Sequence, residues 1–141
     1  MTKRILYTQT NGVVAIVIPV PGCELTIEEM ALKDVPAGVP YEIVDIAEIP
    51  SDRSFRNAWE HDTSEAPEKI KVNFGKAQEI TKERLRVERQ PLLESLDVQF
   101  QKNLEIGADS STVIAEKNRL RDITKLTDTA TTLEELKGLK P

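Results

Sequence analysis

The chain has 141 residues, of which 30% are charged and 4% aromatic, and its formal net charge is −5. This length allows one ordinary domain, or a small domain with a helical extension, and the composition predicts a thin, mostly aliphatic core. A net negative charge argues against nonspecific nucleic-acid binding, because neutralising phosphates needs clustered excess cation. The charge is unevenly spread: residues 1–50 are acidic, whereas residues 73–141 balance bases with acids.

Cysteine content and hydropathy indicate the cellular compartment in which the protein is made. Cys23 is the only cysteine, so no intrachain disulfide can form and a reducing compartment is expected. The longest apolar run, residues 13–18, is far too short to span a membrane. The residues after Lys3 and Arg4 are too polar for a signal peptide. We therefore expect synthesis in the cytoplasm and no membrane partner.

The chain opens with a predicted β-hairpin. Two runs of β-forming residues, 4–9 and 13–18, flank an Asn-Gly pair at Asn11 and Gly12. A type I′ turn needs positive φ at both central residues, and Asn-Gly is the pair that tolerates this best. The sequence therefore predicts two antiparallel strands joined by a type I′ turn.

A helix and a third strand complete the predicted N-terminal head. Thr26 and Glu29 have the spacing of a capping box, which begins a short helix that ends near Lys33. Residues 41–46 alternate between apolar and polar and predict a strand. We assign residues 1–50 to a small ββαβ unit.

Residues 51–72 are predicted to connect the head to the rest of the chain. Ser51 is placed to cap one or two helical turns over residues 52–59. Residues 60–69 are polar and predict a linker, and residues 70–74 predict a short extended segment.

The remaining residues, 73–141, predict a helical hairpin. A long charged helix over about 75–106 contains Pro91, which removes a backbone hydrogen bond and predicts a kink or a break into two helices. A turn over residues 107–111, whose serines can cap the next helix, precedes a second helix over about 111–125.

Thr132 and Glu135 form a second capping box before a last short helix. The predicted fold class is therefore α+β, with an N-terminal ββαβ unit, a long Pro-kinked helix, a helical hairpin and a short C-terminal helix. No internal repeat is visible.

The long helix carries a stripe of apolar residues at helical spacing: Leu85, Leu92, Leu96, Phe100 and Leu104. A narrow apolar seam on a charged helix is typical of a surface that binds another helix. The returning helix can cover part of the stripe, but a two-helix hairpin buries only one side of each helix. We expect the remainder to dock on the head, on a second copy of the chain or on another protein.

A second candidate contact surface precedes the linker. Arg53, Phe55, Arg56 and Trp59 combine the residue types that dominate interface hot spots. The alternative, which we favour, is that Phe55 and Trp59 pack on the core of the head while the arginines pair with Asp52 or Glu60.

No catalytic, cofactor or metal site is predicted. His61 and Asp62 lack the second histidine or thiol that a metal site needs, so a solvated linker histidine is expected. Cys23 has no basic neighbour to lower its pKa, and a buried or half-buried structural side chain is expected. The glycines are isolated, so no phosphate-binding loop is predicted. An enzymatic function is not expected.

The long helix also contains a run of bases at Lys82, Arg84, Arg86 and Arg89. Glutamates interleave with them, and Glu79–Lys82 and Glu83–Arg86 have the i,i+3 spacing of helical ion pairs. A solvated, self-paired helix face is therefore expected instead of a nucleic-acid groove.

Residues 49–60, I-P-S-D-R-S-F-R-N-A-W-E, resemble a group of small proteins of tailed bacteriophages that carry an S-D-R-[ST]-F-R-N-A-W segment. The similarity continues through K-A-Q-E-I-T-K-E-R-L-R at 76–86, P-L-L-E-S-L-D at 91–97, K-N-R-L-R-D-I at 117–123 and T-T-L-E-E-L-K at 131–137. It covers roughly residues 39–139. The hairpin is also similar, more weakly, to the helical C-terminal part of tail-fibre assembly proteins. The resemblance implies a setting among tail genes and no particular activity.

These observations predict a non-enzymatic phage tail-region protein, a virion structural or tail-fibre-associated component that binds a tail or tail-fibre protein. Its expected location is the virion tail, after synthesis in the host cytoplasm. A tail-fibre assembly chaperone absent from the mature virion, a small regulatory or host-interacting factor, and a homo-oligomer stay as alternatives. The residues predicted to contact the partner are Arg53, Phe55, Arg56, Trp59, Leu85, Leu92, Leu96 and Phe100.

Overall fold

The computed structural model describes residues 2–64 and 68–141. The chain divides into two compact units, Met1–Asn73 and Phe74–Pro141. The predicted α+β class is confirmed, because a small antiparallel sheet in the first unit precedes the long helix and further helices of the second.

The first unit begins with the predicted ββαβ order. Strands β1 (Lys3–Thr8), β2 (Val14–Val17) and β3 (Tyr41–Asp45) form an antiparallel sheet in the order β2-β1-β3, and helix α1 spans Ile27–Asp34. In a strand, alternate side chains point to opposite faces. The central strand β1 therefore supplies one buried residue to each face of the sheet.

The turn between β1 and β2 differs from the prediction. Gly12 has a φ of 81°, but no residue other than glycine has positive φ in the described chain, so Asn11 cannot take its place in a type I′ turn. The N–H of Gly12 donates to the carbonyl of Gln9 at 2.9 Å, and the N–H of Gln9 donates to the carbonyl of Val13 at 2.9 Å. This is a three-residue loop closed by a glycine in the left-handed region. The Asn11 Oδ1 also accepts from the Val13 N–H at 3.0 Å, which favours this loop.

The capping box at the start of α1 is confirmed. The Thr26 Oγ1 accepts from the Glu29 N–H at 3.2 Å, and the Glu29 Oε2 accepts from the Thr26 N–H at 2.8 Å. Because the cap fixes where the helix begins, Met30 and Ala31 point inward and are buried with Ile5 on one face of the sheet.

The prediction that residues 51–72 form a connection is wrong. Strands β4 (Trp59–His61) and β5 (Ile70–Val72) pair antiparallel, and both belong to the first unit. The predicted helix over residues 52–59 is reduced to a single 3₁₀ turn, Arg56–Ala58. Residues 65–67 of the predicted linker lie outside the described residues.

The physical reason is a second core on the other face of the sheet. Side chains from both sheets meet there and exclude water: Leu6, Val14, Val44, Trp59 and Ile70. The strand Trp59–His61 was not predicted, and residues 70–74 were predicted only as a short extended segment, because each strand is only three residues long and adjoins polar sequence.

The second unit is helical. Helix α2 (Phe74–Ile106) is followed by α3 (Ser111–Asp122), a 3₁₀ turn (Ile123–Lys125), α4 (Leu126–Thr129) and α5 (Leu133–Gly138). Helix α2 packs against all three later helices. The predicted long helix, hairpin and short terminal helix are confirmed.

Helix α2 continues through Pro91 without interruption, so the predicted break into two helices is wrong. Proline has no N–H to donate and crowds the preceding turn. Packing of α2 on α3 and α5 offsets that cost.

Replacing Pro91 with Ala is expected to raise the free energy of unfolding of the second unit by about 1–3 kcal/mol, because it restores one helical hydrogen bond. Urea unfolding followed by circular dichroism at 222 nm measures the change. Ser95→Ala, at an exposed site on the same helix, is the control and should change stability by only about 0.5 kcal/mol. An unchanged or lower stability for Pro91→Ala would contradict the expectation.

The turn after α2 is a Schellman motif. Gly107 has a φ of 65°, the Ala108 N–H donates to the carbonyl of Asn103 at 2.9 Å, and the Gly107 N–H donates to that of Leu104 at 3.3 Å. The predicted serine cap of α3 is wrong, because the Asp109 Oδ1 accepts from the Ser111 N–H at 3.2 Å instead. A carboxylate there also complements the positive end of the helix dipole.

The second capping box is only half formed. The Thr132 Oγ1 accepts from the Glu135 N–H at 3.1 Å, as predicted. The Glu135 carboxylate, however, accepts from the N–H of Thr131 at 2.8 Å. The cap still begins α5 in the register that buries Leu136 completely.

Candidate partner-binding surfaces

Phe55 and Trp59 lie in the interior of the first unit. Their side chains are 7% and 1% exposed, and Trp59 belongs to the core cluster that joins the two sheets. The structure thus favours the packing interpretation of this motif. Neither aromatic ring is available to a partner in the folded chain, so their assignment as contact residues is corrected.

Arg56 and Arg53 cover the indole of Trp59. The guanidinium carbons lie 4.7 Å and 5.7 Å from the ring centroid, within the range of cation–π attraction. The Arg56 Nη2 also donates to the carbonyl of Val14 at 2.6 Å. Because β2 is an edge strand, this bond satisfies a backbone acceptor that would otherwise invite another strand.

The expected ion pairs of these arginines with Asp52 or Glu60 are absent from the described residues. The Asp52 Oδ1 instead accepts from the N–H and hydroxyl of Ser54, and the Glu60 Oε1 accepts from the Asn73 side-chain amide. The side chains of residues 52–60 are therefore held mainly by hydrogen bonds to nearby residues and by contact with the Trp59 ring.

The apolar stripe of α2 is divided by burial. Leu85 is fully buried and is a core residue of the second unit, so it cannot contact a partner. Leu92 is 44% exposed, while Leu96 and Phe100 are half-buried. The returning helix covers part of the stripe, since the Lys117 Nζ lies 5.2 Å from the Phe100 ring centroid and 2.6 Å from the Asp97 carboxylate.

Exposed apolar side chains gather where the hairpin turns. Leu104 and Ile106, in the last turn of α2, are 59% and 78% exposed, and Ile114, in the first turn of α3, is 45% exposed. We call these three residues the hairpin-end patch. Ile106 and Ile114 were not predicted as contact residues, although apolar residues close to the Gly107 turn could have been expected to be exposed. Leu104 and Ile106 lie two positions apart and so do not share one helix face, but exposed apolar groups at one end of a unit favour an interaction site there.

Two basic side chains of α2, Arg84 and Arg89, form hydrogen bonds within the second unit. The Arg84 Nη2 donates to the carbonyls of Leu136 and Leu139 at 3.1 and 2.9 Å, at the end of α5. The Arg89 Nη1 donates to those of Leu120 and Arg121 at 3.2 and 2.8 Å, at the end of α3. Each guanidinium thus satisfies terminal carbonyls and places a cation at the negative end of a helix dipole.

The predicted helical ion pairs are confirmed. Lys82 lies 3.2 Å from Glu79, and Arg86 lies 3.1 Å from Glu83. Lys82 also reaches Asp128 at 2.9 Å, which ties α2 to α4. The basic run is therefore largely neutralised within the unit and does not form an open cationic groove.

His61 is not the solvated linker residue that was predicted. Its side chain is only 8% exposed, and its Nε2 lies 2.7 Å from the Glu42 Oε2. The Lys69 Nζ lies 2.9 Å from the other oxygen of the same carboxylate. The prediction failed because the segment after His61 returns as β5 and brings Lys69 beside Glu42 on β3.

Lys69 and His61 influence the ionisation of Glu42. Burial alone would raise the pKa of this carboxyl, but the hydrogen bonds from Lys69 and His61 and their charges outweigh it, so the pKa lies below its usual 4.5. A depressed pKa means that the carboxylate stabilises the fold above pH 4.5, and that this contribution is lost as the pH falls through the folded-state pKa.

Glu42→Gln is accordingly expected to lower the free energy of unfolding by about 1 kcal/mol at pH 7, and to differ less from the natural chain as the pH falls below about 4.5. Urea unfolding at a series of pH values from 7 to 3 measures the difference. Glu28→Gln is a suitable control, since Glu28 is exposed on α1. A deficit that grew in acid would reverse the expected sign.

Cys23 is exposed, so the predicted buried or half-buried side chain is wrong. It follows Gly22, which has a φ of 79°. Within residues 2–64 and 68–141, no group of three or more His, Cys, Asp or Glu side chains is arranged to hold a metal ion. Across the same residues, none of the helices combines the length and hydropathy needed to cross a membrane.

No family model matches the sequence, and neither a curated protein nor a solved structure matches it. The resemblance to phage proteins that residues 49–60 carry therefore stays a prediction.

Proposed function

We propose that this chain is a non-enzymatic tail-region protein of a bacteriophage, and that its second unit binds another tail or tail-fibre polypeptide. The observation that carries the proposal is the hairpin-end patch. The phage setting rests on the sequence resemblance alone, whereas the binding role rests on the apolar surface.

Burial of the hairpin-end patch by a partner would contribute measurably to the free energy of binding. Fully burying a Leu or Ile side chain contributes about 1.5–3 kcal/mol relative to leaving it in water. Leu104 and Ile106 are each more than half exposed, so covering both with a partner would contribute about 2–4 kcal/mol. Leu92, Leu96 and Phe100 lie on the same helix, nearer its middle, and can enlarge the contact area.

A resident virion component and a departing chaperone differ in one observable. A resident protein is present in finished particles in a fixed ratio to a symmetric ring or fibre, whereas a chaperone covers apolar surface on an immature partner and leaves. We favour the resident component. Mass spectrometry of purified virions should then find peptides of this chain, and their absence would instead support the assembly chaperone.

The regulatory alternative, binding to nucleic acid, requires a shared basic face. Arg84 and Arg89 donate to helix-terminal carbonyls and Arg86 pairs with Glu83, which leaves little free cation on α2. Electrophoretic mobility of duplex DNA at low salt tests this alternative, and the absence of any shift would remove it.

A further inference from the structure

The strongest unexplained feature of the first unit is a pair of arginines on one aromatic ring. Arg53 and Arg56 both lie against Trp59, at 5.7 and 4.7 Å from the ring centroid. Like charges that lie against one ring repel each other, and a nearby anion would relieve that repulsion. Each contact with the ring contributes about 0.5–1 kcal/mol of cation–π attraction.

The described residues supply no such anion. Neither arginine forms an ion pair with a carboxylate of residues 2–64 or 68–141. The Arg56 Nη1 is buried and has no hydrogen-bond acceptor, although Nη2 is bonded to Val14. Burial lowers the pKa of the Arg56 guanidinium, and the charge of Arg53 lowers it further. These observations describe a positive site that has no ion-pair partner among residues 2–64 and 68–141.

We propose that Arg53 and Arg56 form a carboxylate-binding site that receives an acidic peptide segment of a partner protein. Arg53 is exposed, and its planar guanidinium can bind a carboxylate through two parallel hydrogen bonds. Arg56 is held in place by Val14 and Trp59 and acts as a fixed neighbouring charge. An arriving carboxylate contacts Arg53 and relieves the repulsion between the two cations.

The surroundings favour a short acidic peptide over a nucleic acid. A phosphate polymer gains affinity by contacting many clustered cations at once. Here two arginines share one ring, on a chain with a net charge of −5, and Arg84, Arg86 and Arg89 of α2 are already engaged. One or two carboxylates match two arginines, whereas a run of phosphates would need further clustered cations.

Trp59 provides a direct probe because it is the only tryptophan in the chain. Titrating the full chain at low salt with a terminally blocked hexaglutamate peptide should change its fluorescence in a saturable manner. Arg53→Gln should raise the dissociation constant about threefold to tenfold, which is the weakening expected from loss of one charged contact. Dissociation constants are compared, not signal amplitudes, because removing Arg53 alters the indole environment by itself.

Two controls separate the site from general effects. Arg86→Gln removes an equal charge from the second unit and should leave the dissociation constant unchanged. Ile106→Asp alters the hairpin-end patch and should also leave it unchanged, so this proposal and the proposed function can fail independently. The proposal would be overturned by any of three results: no saturable change, equal affinity in Arg53→Gln, or tighter binding of a thymidine hexanucleotide than of hexaglutamate.

Discussion

Trp59→Ala is expected to lower the free energy of unfolding of the first unit by about 3–5 kcal/mol, the usual loss when a buried Trp is truncated. Trp59 is 1% exposed and, together with Ile70, packs β4 and β5 on the three-stranded sheet. A unit of this size has a total stability of about 4–11 kcal/mol, so the variant should be close to unfolding at room temperature.

Circular dichroism and urea unfolding of the variant measure this loss directly. Tyr41→Ala is the control, because it removes an aromatic ring from the same unit at a site that is 40% exposed, and it should cost about 1 kcal/mol or less. A Trp59→Ala protein as stable as the natural chain would show that the second sheet does not depend on this ring, and would restore Trp59 as a candidate contact residue.

Leu85→Ala should destabilise the second unit by about 2–5 kcal/mol, while Leu92→Ala should cost less than about 1 kcal/mol. The two substitutions are chemically identical and lie in the same helix, but Leu85 is fully buried and Leu92 is 44% exposed. Only the cavity left at Leu85 is surrounded by other elements, and this accounts for the difference.

Urea unfolding followed at 222 nm compares the two variants under the same conditions. Similar losses at both positions would contradict the division of the stripe into a core part and an exposed part. They would then imply that the far end of α2 is covered as fully as its beginning.

The number of elements packed beside each part of α2 explains this division. Near Leu85, α2 contacts α4 and α5. Farther along, α3 runs beside α2, since Arg89 bonds to the Leu120 carbonyl and Asp97 pairs with Lys117. One helix covers only one side of its neighbour, which leaves Leu92 and Leu104 exposed. The sequence predicted the stripe correctly, but which leucines are buried depends on where these short helices pack.

Sequence patterns predicted correctly those features that depend on residues close together in the chain. The capping box of α1, the Gly107 turn and the helical ion pairs are set by residues three to five positions apart, and all were predicted. The exact cap residue of α3 was missed because Asp109 competes with Ser110 and Ser111 for the same helix end.

Nonlocal pairing accounts for the larger errors. Strands β4 and β5 are short, and each is stabilised mainly by its partner and by the core under Trp59, so the first was not predicted and the second was predicted only as a short extended segment. His61 was misplaced for the same reason, since its partner Glu42 is 19 positions away. The charge of Arg53 and Arg56 was noted in the sequence, but their shared contact with one indole appears only in the folded unit.

The most direct test of the binding role is affinity purification of the tagged full chain from bacteria that are producing the phage. The natural chain should be recovered with a tail or tail-fibre polypeptide in a fixed ratio, and the double variant Leu104→Asp, Ile106→Asp should lose that polypeptide. Val87→Asp is the matched control and should keep it, because Val87 is also exposed, at 65%, but lies about 25 Å from Leu104 along the helix. Recovery of the same tail polypeptide with the double variant, or of none with the natural chain, would contradict the account.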